Sequence, residues 1–441
     1  MTQTTPLAVK RYPVTFGQLS LLRSIEAIAL DRRGVANLPE VWELSASTDL
    51  VDVVAAWDVL VELHASLRTT FHHESGAWSQ AVSDRCRERI KVVTTHDLGR
   101  AEAWRVADEL AATPIDVSIG PMWRARVISG PDGPVWLALM VHHAAADFGG
   151  MKVLAEDFEA LLRGRSPQRG PQPVDLALEQ QAASPTGENA FWLEAWDSLE
   201  EADRTGGDNG IRERVELYST AAGGALRRLT ARHRLSQQAA VLGAIAIVLF
   251  RLARRTRLTV GLMSANRSSV SSARMVTSLN QLVPVTFELD AGKTVAEFLT
   301  AAYIDSLTAL SNGMYDVDLL KTAAGERGHQ HPEPMAFDCH YNFLGTGTPP
   351  QTDDPVRDRV VSRPRDLVVL PRFNVSASVD DEGVWLRMMA TEGYLNGASC
   401  AQTLASIEAV LVAAAADPDV VIGAVGVDAL RPLEPIIVDV H

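Results

Sequence analysis

The sequence predicts a mixed α/β protein of two lobes, and three observations carry that reading. At 441 residues, the chain exceeds what one hydrophobic core usually supports. Short apolar runs of strand type alternate along it with segments of helical spacing. Two polar stretches, Gly164–Pro173 and Ala182–Asn189, interrupt that alternation and place the boundary near residue 180, giving lobes 1–180 and 181–441.

The elements follow in order. A helix follows Phe16. Val53, Ala56, Val59 and Leu60 share one helical face, so Asp49–Leu63 is a helix. Arg89–Thr95 and Trp123–Ser129 read as strands. The unbroken run Val135–Val141 reads as a buried strand, and helical spacing resumes at Val153, Leu154, Phe158, Leu161 and Leu162. Past the boundary, Phe191–Leu199 is a helix and Thr205–Gly210 a Gly- and Asp-rich loop. Val215–Tyr218 is a strand, Ser236–Leu252 a strongly apolar helix, and Thr259–Met263 another strand. Ala301–Leu310 is helical, and Gly345–Asp354 is a loop of Gly, Pro and Thr. Phe373–Val379 and Gly383–Ala390 pair across the turn Asp380-Asp381-Glu382, and Leu404–Ala416 forms a closing helix. No short-period repeat is present.

Composition narrows the function. The chain is 46% hydrophobic and 22% charged, ordinary for a globular protein. A net charge of −14 argues against general nucleic-acid binding, which needs phosphates neutralised. The longest apolar candidate for a membrane span, Val241–Leu252, is short and cut by Arg251. Met1–Arg11 is polar and lacks the apolar core of a secretory signal. Cys86, Cys339 and Cys400 have no metal-like spacing and form no even set. No metal site is expected, and a reducing cytoplasm fits best.

One cluster carries the chemistry. His142-His143-Ala144-Ala145-Ala146-Asp147 lies between the buried strand and Gly149-Gly150, which open the next helix. Side chains at such a junction are presented from a rigid edge. A histidine there accepts a proton from an attacking amine or hydroxyl, or orients that nucleophile and stabilises developing charge. Residue type leaves the two open. Strand alternation points His142 away from His143 and makes it structural support. Asp147 either orients the imidazole, as in a triad, or is held by a cation elsewhere, since an unpaired buried carboxylate is costly. The three alanines either widen a channel for a bulky acceptor or pack against a helix.

The cluster resembles the His-His-x-x-x-Asp-Gly signature of the condensation domains of nonribosomal peptide synthesis. That family belongs to the chloramphenicol acetyltransferase-like acyltransferases. Other segments resemble the family's motifs in its order. They are Thr15–Leu22, His64–Phe71, Pro114–Ala125, Phe191-Trp192, Val260–Arg267, Leu279–Val285 and Tyr341-Asn342-Phe343. The resemblance runs over essentially the whole chain. It implies two chloramphenicol-acetyltransferase-like lobes forming a V-shaped pseudo-dimer with a central channel, and His143 as the catalytic residue. It implies a salt bridge from Asp147 to Arg267. Phe148 replaces the motif's Gly, so either Gly149 takes over that backbone freedom or the loop differs.

The resemblance also implies partners. The donor is an acyl or peptidyl carrier protein bearing the acyl group on its phosphopantetheine arm, and this chain binds no cofactor itself. The acceptor is a small-molecule or carrier-bound amine or alcohol. Ser264, Asn280 and Asn342 are candidates to line the channel, although a structural tie is favoured for the two asparagines and a structural hydroxyl for the serine. The chain leaves no room for an adenylation or carrier domain, so a free-standing, monomeric enzyme is expected. Two arginine-rich stretches, Arg227–Arg234 and Arg251–Arg257, offer a basic patch for an acidic carrier, although each alone reads as a solvated helix face. A coenzyme A-dependent acyltransferase and a non-catalytic recruitment platform, the latter suggested by Phe148, are the alternatives.

Overall fold

The computed structural model describes residues 10–86, 88–183, 189–197, 212–253, 256–329, 337, 339–347, 358, 360–362, 373–391, 399–425 and 436–437. In chain order its elements are β1 (Tyr12–Pro13), α1 (Phe16–Glu26), β2 (Asn37–Glu43), α2 (Leu50–Leu63), β3 (Thr69–Glu74), β4 (Ala77–Val82), β5 (Lys91–Thr94), α3 (Arg100–Ala112), β6 (Trp123–Gly130), β7 (Gly133–His142), α4 (Phe148–Leu162), α5 (Pro173–Ala182), α6 (Asn189–Asp197), β8 (Arg212–Ser219), α7 (Thr220–His233), α8 (Gln237–Ala253), β9 (Arg257–Ser264), α9 (Val270–Ala273), β10 (Gln281–Glu288), α10 (Val295–Ser311), α11 (Val317–Glu326), β11 (Cys339–Thr346), β12 (Val360–Ser362), β13 (Phe373–Val379), β14 (Val384–Thr391), α12 (Cys400–Ala416) and β15 (Ile436–Ile437).

Two compact units result. The first comprises Met1–Thr186, Ala265–Gln281 and Met314–Val317, and the second Gly187–Ser264, Leu282–Gly313 and Asp318–His441. The single cut at residue 180 therefore needs amending. Residues 265–281 follow the second unit's strand β9 in sequence but pack with the first unit. Arg267 and Arg274 on that segment find their carboxylates on α4.

In the first unit, four strands run in the order β2-β7-β6-β5. β7 is antiparallel to both neighbours, and β5 is parallel to β6. One face packs Val41, Ile128, Trp136 and Ala138 against Val106 and Ala107 of α3. The other packs the half-buried Trp42 and the buried Trp123 with Trp57 of α2 and Phe158 of α4, rings 5.0–6.2 Å apart. Strand β7 is thus covered on both sides. That is why residues 135–141 form a continuous apolar run rather than an alternating one. Beside this sheet, β3 and β4 form a hairpin with β1 on its edge. Ser75 and Gly76 both take positive φ, 52° and 84°, the backbone of a two-residue hairpin loop.

The second unit holds one eight-stranded sheet, ordered β10-β9-β11-β13-β14-β8-β12-β15. β11 runs parallel to β9 and β13, whereas β13, β14 and β8 are successive antiparallel neighbours. Helices α7, α8 and α12 pack on the sheet and on one another. Residues Val241–Val248 of α8 are buried, and the missing side chain of Gly243 lets Leu299 of α10 approach closely. Among the described residues no single helix is long and apolar enough to cross a membrane. All three cysteines are free.

Most predicted strands and helices form near their expected limits, although α10 begins six residues before the expected Ala301 and residues 198–199 of the helix expected at 191–199 lie outside the described residues. The helix face read at Arg227–Arg234 belongs to α7, and elements also form where the sequence reading assigned none, among them β2, the β3–β4 hairpin, α3, α5, β10, α11 and β11. Gly345 and Thr346, expected in a loop, finish β11, because Thr346 still pairs with Val379 beyond a register shift that follows Phe343. Residues 348–354 of that loop, the loop at 205–210 and residues 184–188 of the expected linker lie outside the described residues. Arg227, Arg228 and Arg232 form an exposed face of α7, while Arg251 bonds the carbonyls of Gly423 and Val425. Arg254 and Arg255 lie outside the described residues.

Candidate active site

Strand β7 delivers the two histidines to different surroundings. His142, its last residue, is opposite Asn37 of β2 and is 1% exposed. Its backbone N–H donates to the Met122 carbonyl at 2.8 Å. Its Nδ1 accepts the Ala144 N–H at 3.2 Å. An accepting Nδ1 requires a lone pair there, so the ring is the neutral Nε2–H tautomer. Burial, with His143 adjacent, pushes its pKa down from 6.5 to about 3. His142 is therefore a neutral brace for the turn that follows.

His143 departs from the strand. Its N–H donates to the Ala36 carbonyl at 2.7 Å, which ties the backbone down, while the side chain keeps part of its surface exposed. Its Nδ1 is buried and has no hydrogen-bond partner among the described residues. Ala144, Ala145 and Ala146 are fully buried. Of the two readings offered for them, packing is the one observed. With all three inside the core, their small size lets the turn close.

Asp147 is the N-cap of α4. Its Oδ1 accepts the Gly150 N–H at 2.8 Å and a hydrogen bond from Arg267 Nη2. Its Oδ2 accepts the Leu279 N–H at 2.9 Å, and its own N–H donates to the Thr277 carbonyl at 3.2 Å. Both Asp147 oxygens are thus engaged with partners other than His143, and the triad alternative is set aside. Arg267 also donates to the carbonyls of Ser272, Met275 and Thr277 at 2.7–3.2 Å. A buried carboxylate held by two backbone amides, one of them in the first turn of a helix, and by a guanidinium is fixed in place.

Gly149 has a role the sequence did not reveal. Neither Phe148 nor Gly149 has positive φ, so no special backbone freedom is needed at either. Phe148 sits in the first turn of α4, 44% exposed, in ordinary helical conformation. What matters at 149 is the missing side chain. A Cβ there would lie 2.8 Å from Arg267 Cδ and 3.0 Å from Cζ, and nearer still to Nε. The glycine lets the guanidinium cross the helix to reach Asp147.

Three other candidates were named from the sequence. Ser264 ends β9, buried. Asn280 precedes β10 and accepts a hydrogen bond from Ser278 Oγ at 3.0 Å, a local bond within one segment. Asn342 on β11 lies opposite Ser376, in a lateral row that continues through Arg387 to Glu216. Sequence reasoning passed over Gln18. Its Oε1 takes the Thr15 N–H at 2.9 Å, and its Nε2 donates to Thr277 Oγ1 at 3.0 Å. The signal was there, since Thr15-Phe16-Gly17-Gln18 has capping-box spacing. Among the described residues no group of histidine, cysteine and carboxylate side chains is placed to hold a metal.

The family model named Condensation domain matches residues 23–349. The chain belongs to the condensation-domain family. Tyrocidine synthase 3 of Brevibacillus parabrevis is 26% identical over 328 residues, which is 70% of this chain and 5% of that synthase. The chain therefore spans a small fraction of its curated relatives. Two solved structures share its fold. The condensation domain of the monacolin K polyketide synthase MokA is 16% identical, with a TM-score of 0.75, over 94% of this chain and 99% of that one. SgcC5 of Streptomyces globisporus, solved with (R)-(-)-1-(2-naphthyl)-1,2-ethanediol and sucrose, is 18% identical, with a TM-score of 0.70, over 93% and 100%. The condensation domain described here thus has the family's two-lobe fold, related to chloramphenicol acetyltransferase.

Proposed function

We propose that the chain transfers an acyl group from a carrier-protein thioester to an amine or alcohol, with His143 at the reacting centre. The observation that carries the reading is the state of His143. Its backbone is pinned, its ring is partly exposed, and its buried Nδ1 is contacted by no carboxylate, while the turn beneath it is locked by Asp147. A fixed imidazole of this kind takes the proton of an incoming N–H or O–H, or orients that nucleophile, as the carbonyl is attacked. The thiol of the phosphopantetheine arm leaves with a proton, so the transfer is direct and needs no acyl-enzyme.

Phe148 supports this reading over a recruitment platform, because it introduces no backbone strain at the motif. The diol bound to SgcC5 argues for testing alcohols beside amines. The experiment incubates the purified chain with acyl-loaded carrier protein and a panel of both, and follows the carrier by mass spectrometry. The expected result is acceptor-dependent loss of the acyl group. In His143→Ala the rate should fall by about 10²–10⁴, the usual contribution of a positioned acid–base group. Equal turnover of the matching coenzyme A thioester would favour the alternative donor. Unchanged turnover by a folded His143→Ala variant would remove the mechanism.

A further inference from the structure

The segment that carries Arg267 is gripped a second time. Seven residues on, Arg274 Nη2 lies 2.5 Å from Asp157 Oδ1 and its Nη1 lies 2.8 Å from Glu156. The other Asp157 oxygen is 3.0 Å from Nε2 of His64, and both Asp157 and His64 are buried. Two residues past His64, Ser66 Oγ donates to the Val276 carbonyl. These contacts close a ring. It runs from the end of α2 through α4 to Arg274, along the chain to Val276, and back through Ser66.

Helix α4 therefore holds one segment at two points. Asp147 and Asp157 are ten residues apart, about 15 Å at helical rise, and each engages an arginine of that segment. Between those points the backbone at 275–279 is engaged almost residue by residue. The Met275 carbonyl takes Arg267, and Val276 takes Ser66. Thr277 takes the Asp147 N–H, and the Leu279 N–H goes to Asp147 Oδ2. A shift of the backbone at 275 would be passed to Asp147 and so to the turn that follows His143, because these bonds leave little slack.

We infer that His64, Asp157 and Arg274 are positioning residues that keep residues 275–279 in register beneath the His143 turn. The catalytic half of this inference rests on the acyl-transfer reading above, and the structural half does not. Asp157 is buried and its loss risks the fold, so the main variant is Arg274→Gln, at a half-exposed side chain. Arg274→Lys is the conservative rescue, and Arg105→Gln, which removes an exposed ion pair on α3, is the control.

Hydrogen exchange on the full chain reads the structural half. Arg274→Gln should speed exchange about tenfold at 275–281 and at 142–147, as expected for one hydrogen-bonded charge. Arg274→Lys should restore most of it, and Arg105→Gln should leave both segments unchanged. With acyl carrier protein as substrate, Arg274→Gln should lower kcat by a similar factor and leave KM within about twofold. Unchanged exchange at 275–281 would overturn the inference, as would faster exchange with kcat intact. If the parent transfers no acyl group, the acyl-transfer reading fails, and the exchange arm still decides whether the latch orders the His143 turn.

Discussion

Replacing Gly149 by alanine tests the account of the site with one methyl group. Alanine is the better helix former, by about 1 kcal/mol in a helix interior, so a helix-only view expects the variant to gain stability. The structure expects a loss. The new Cβ would overlap Arg267, being 2.8 Å from Cδ and 3.0 Å from Cζ. The guanidinium cannot swing aside cheaply, because it is fixed by Asp147 and the carbonyls of Ser272, Met275 and Thr277. Its side chain is 11% exposed and that of Asp147 4%, so displacing it leaves a buried carboxylate short of its cation. Breaking such a pair costs about 3–5 kcal/mol, and after the helix gain a loss of about 2–4 kcal/mol remains. Two compact units need not unfold together, so the readout is the exchange protection of the α4 amides. The decisive comparison is a cycle with Arg267→Ala. Once the arginine is gone the three atoms nearest to the methyl group are removed, and Gly149→Ala should become neutral or mildly stabilising. If the two costs instead add within about 0.5 kcal/mol, or if Gly149→Ala stabilises the parent, the close approach of Arg267 is not the reason for the glycine.

Three further outcomes follow from the same geometry. His142 has a pKa of about 3 in the folded chain against 6.5 when exposed, so below pH 6.5 the unfolded chain binds the extra proton. Its contribution is complete above pH 6.5 and falls by up to about 1.4 kcal/mol per pH unit down to pH 3; urea titrations from pH 7 to 4 should show a shallower slope in His142→Gln. Tyr341 is fully buried with no partner for its hydroxyl among the described residues, and burial raises its pKa well above 10. Tyr341→Phe should therefore match or exceed the parent in thermal unfolding, by up to about 1–3 kcal/mol, and a clear loss would mean the hydroxyl is satisfied. Phe148→Gly should cost no more than about 1 kcal/mol in helix stability and leave acyl transfer within about twofold, whereas a large gain in rate would show that the phenylalanine obstructs the site.

Much of the fold was legible because its signals are local. The unbroken run before His142 marks a strand covered on both faces, and α3 and α2 do cover it. Some legible signals were passed over. Ala103, Val106, Ala107, Leu110 and Ala111 have the spacing of one helical face and bury it as α3. Ser75-Gly76 is a hairpin dipeptide between two strands. Of helix α7 only the charged face was read, although Ala222, Ala225, Leu226 and Leu229 beneath it are buried.

The sequence by itself determined that a pair of histidines closes a buried apolar run, that a helix follows Gly149-Gly150, and that the two histidines have different surroundings. Each depends on residues within one or two turns of chain, where periodicity is a sufficient guide. The Asp147–Arg267 bridge was implied by the family resemblance, and only the tertiary structure showed that the same carboxylate also holds Leu279, that Gly149 is needed for space rather than for backbone freedom, and that residues 265–281 cross to the first unit. Those outcomes join groups 117–132 residues apart. They are set by which surfaces meet when the cores pack, and no local pattern encodes that.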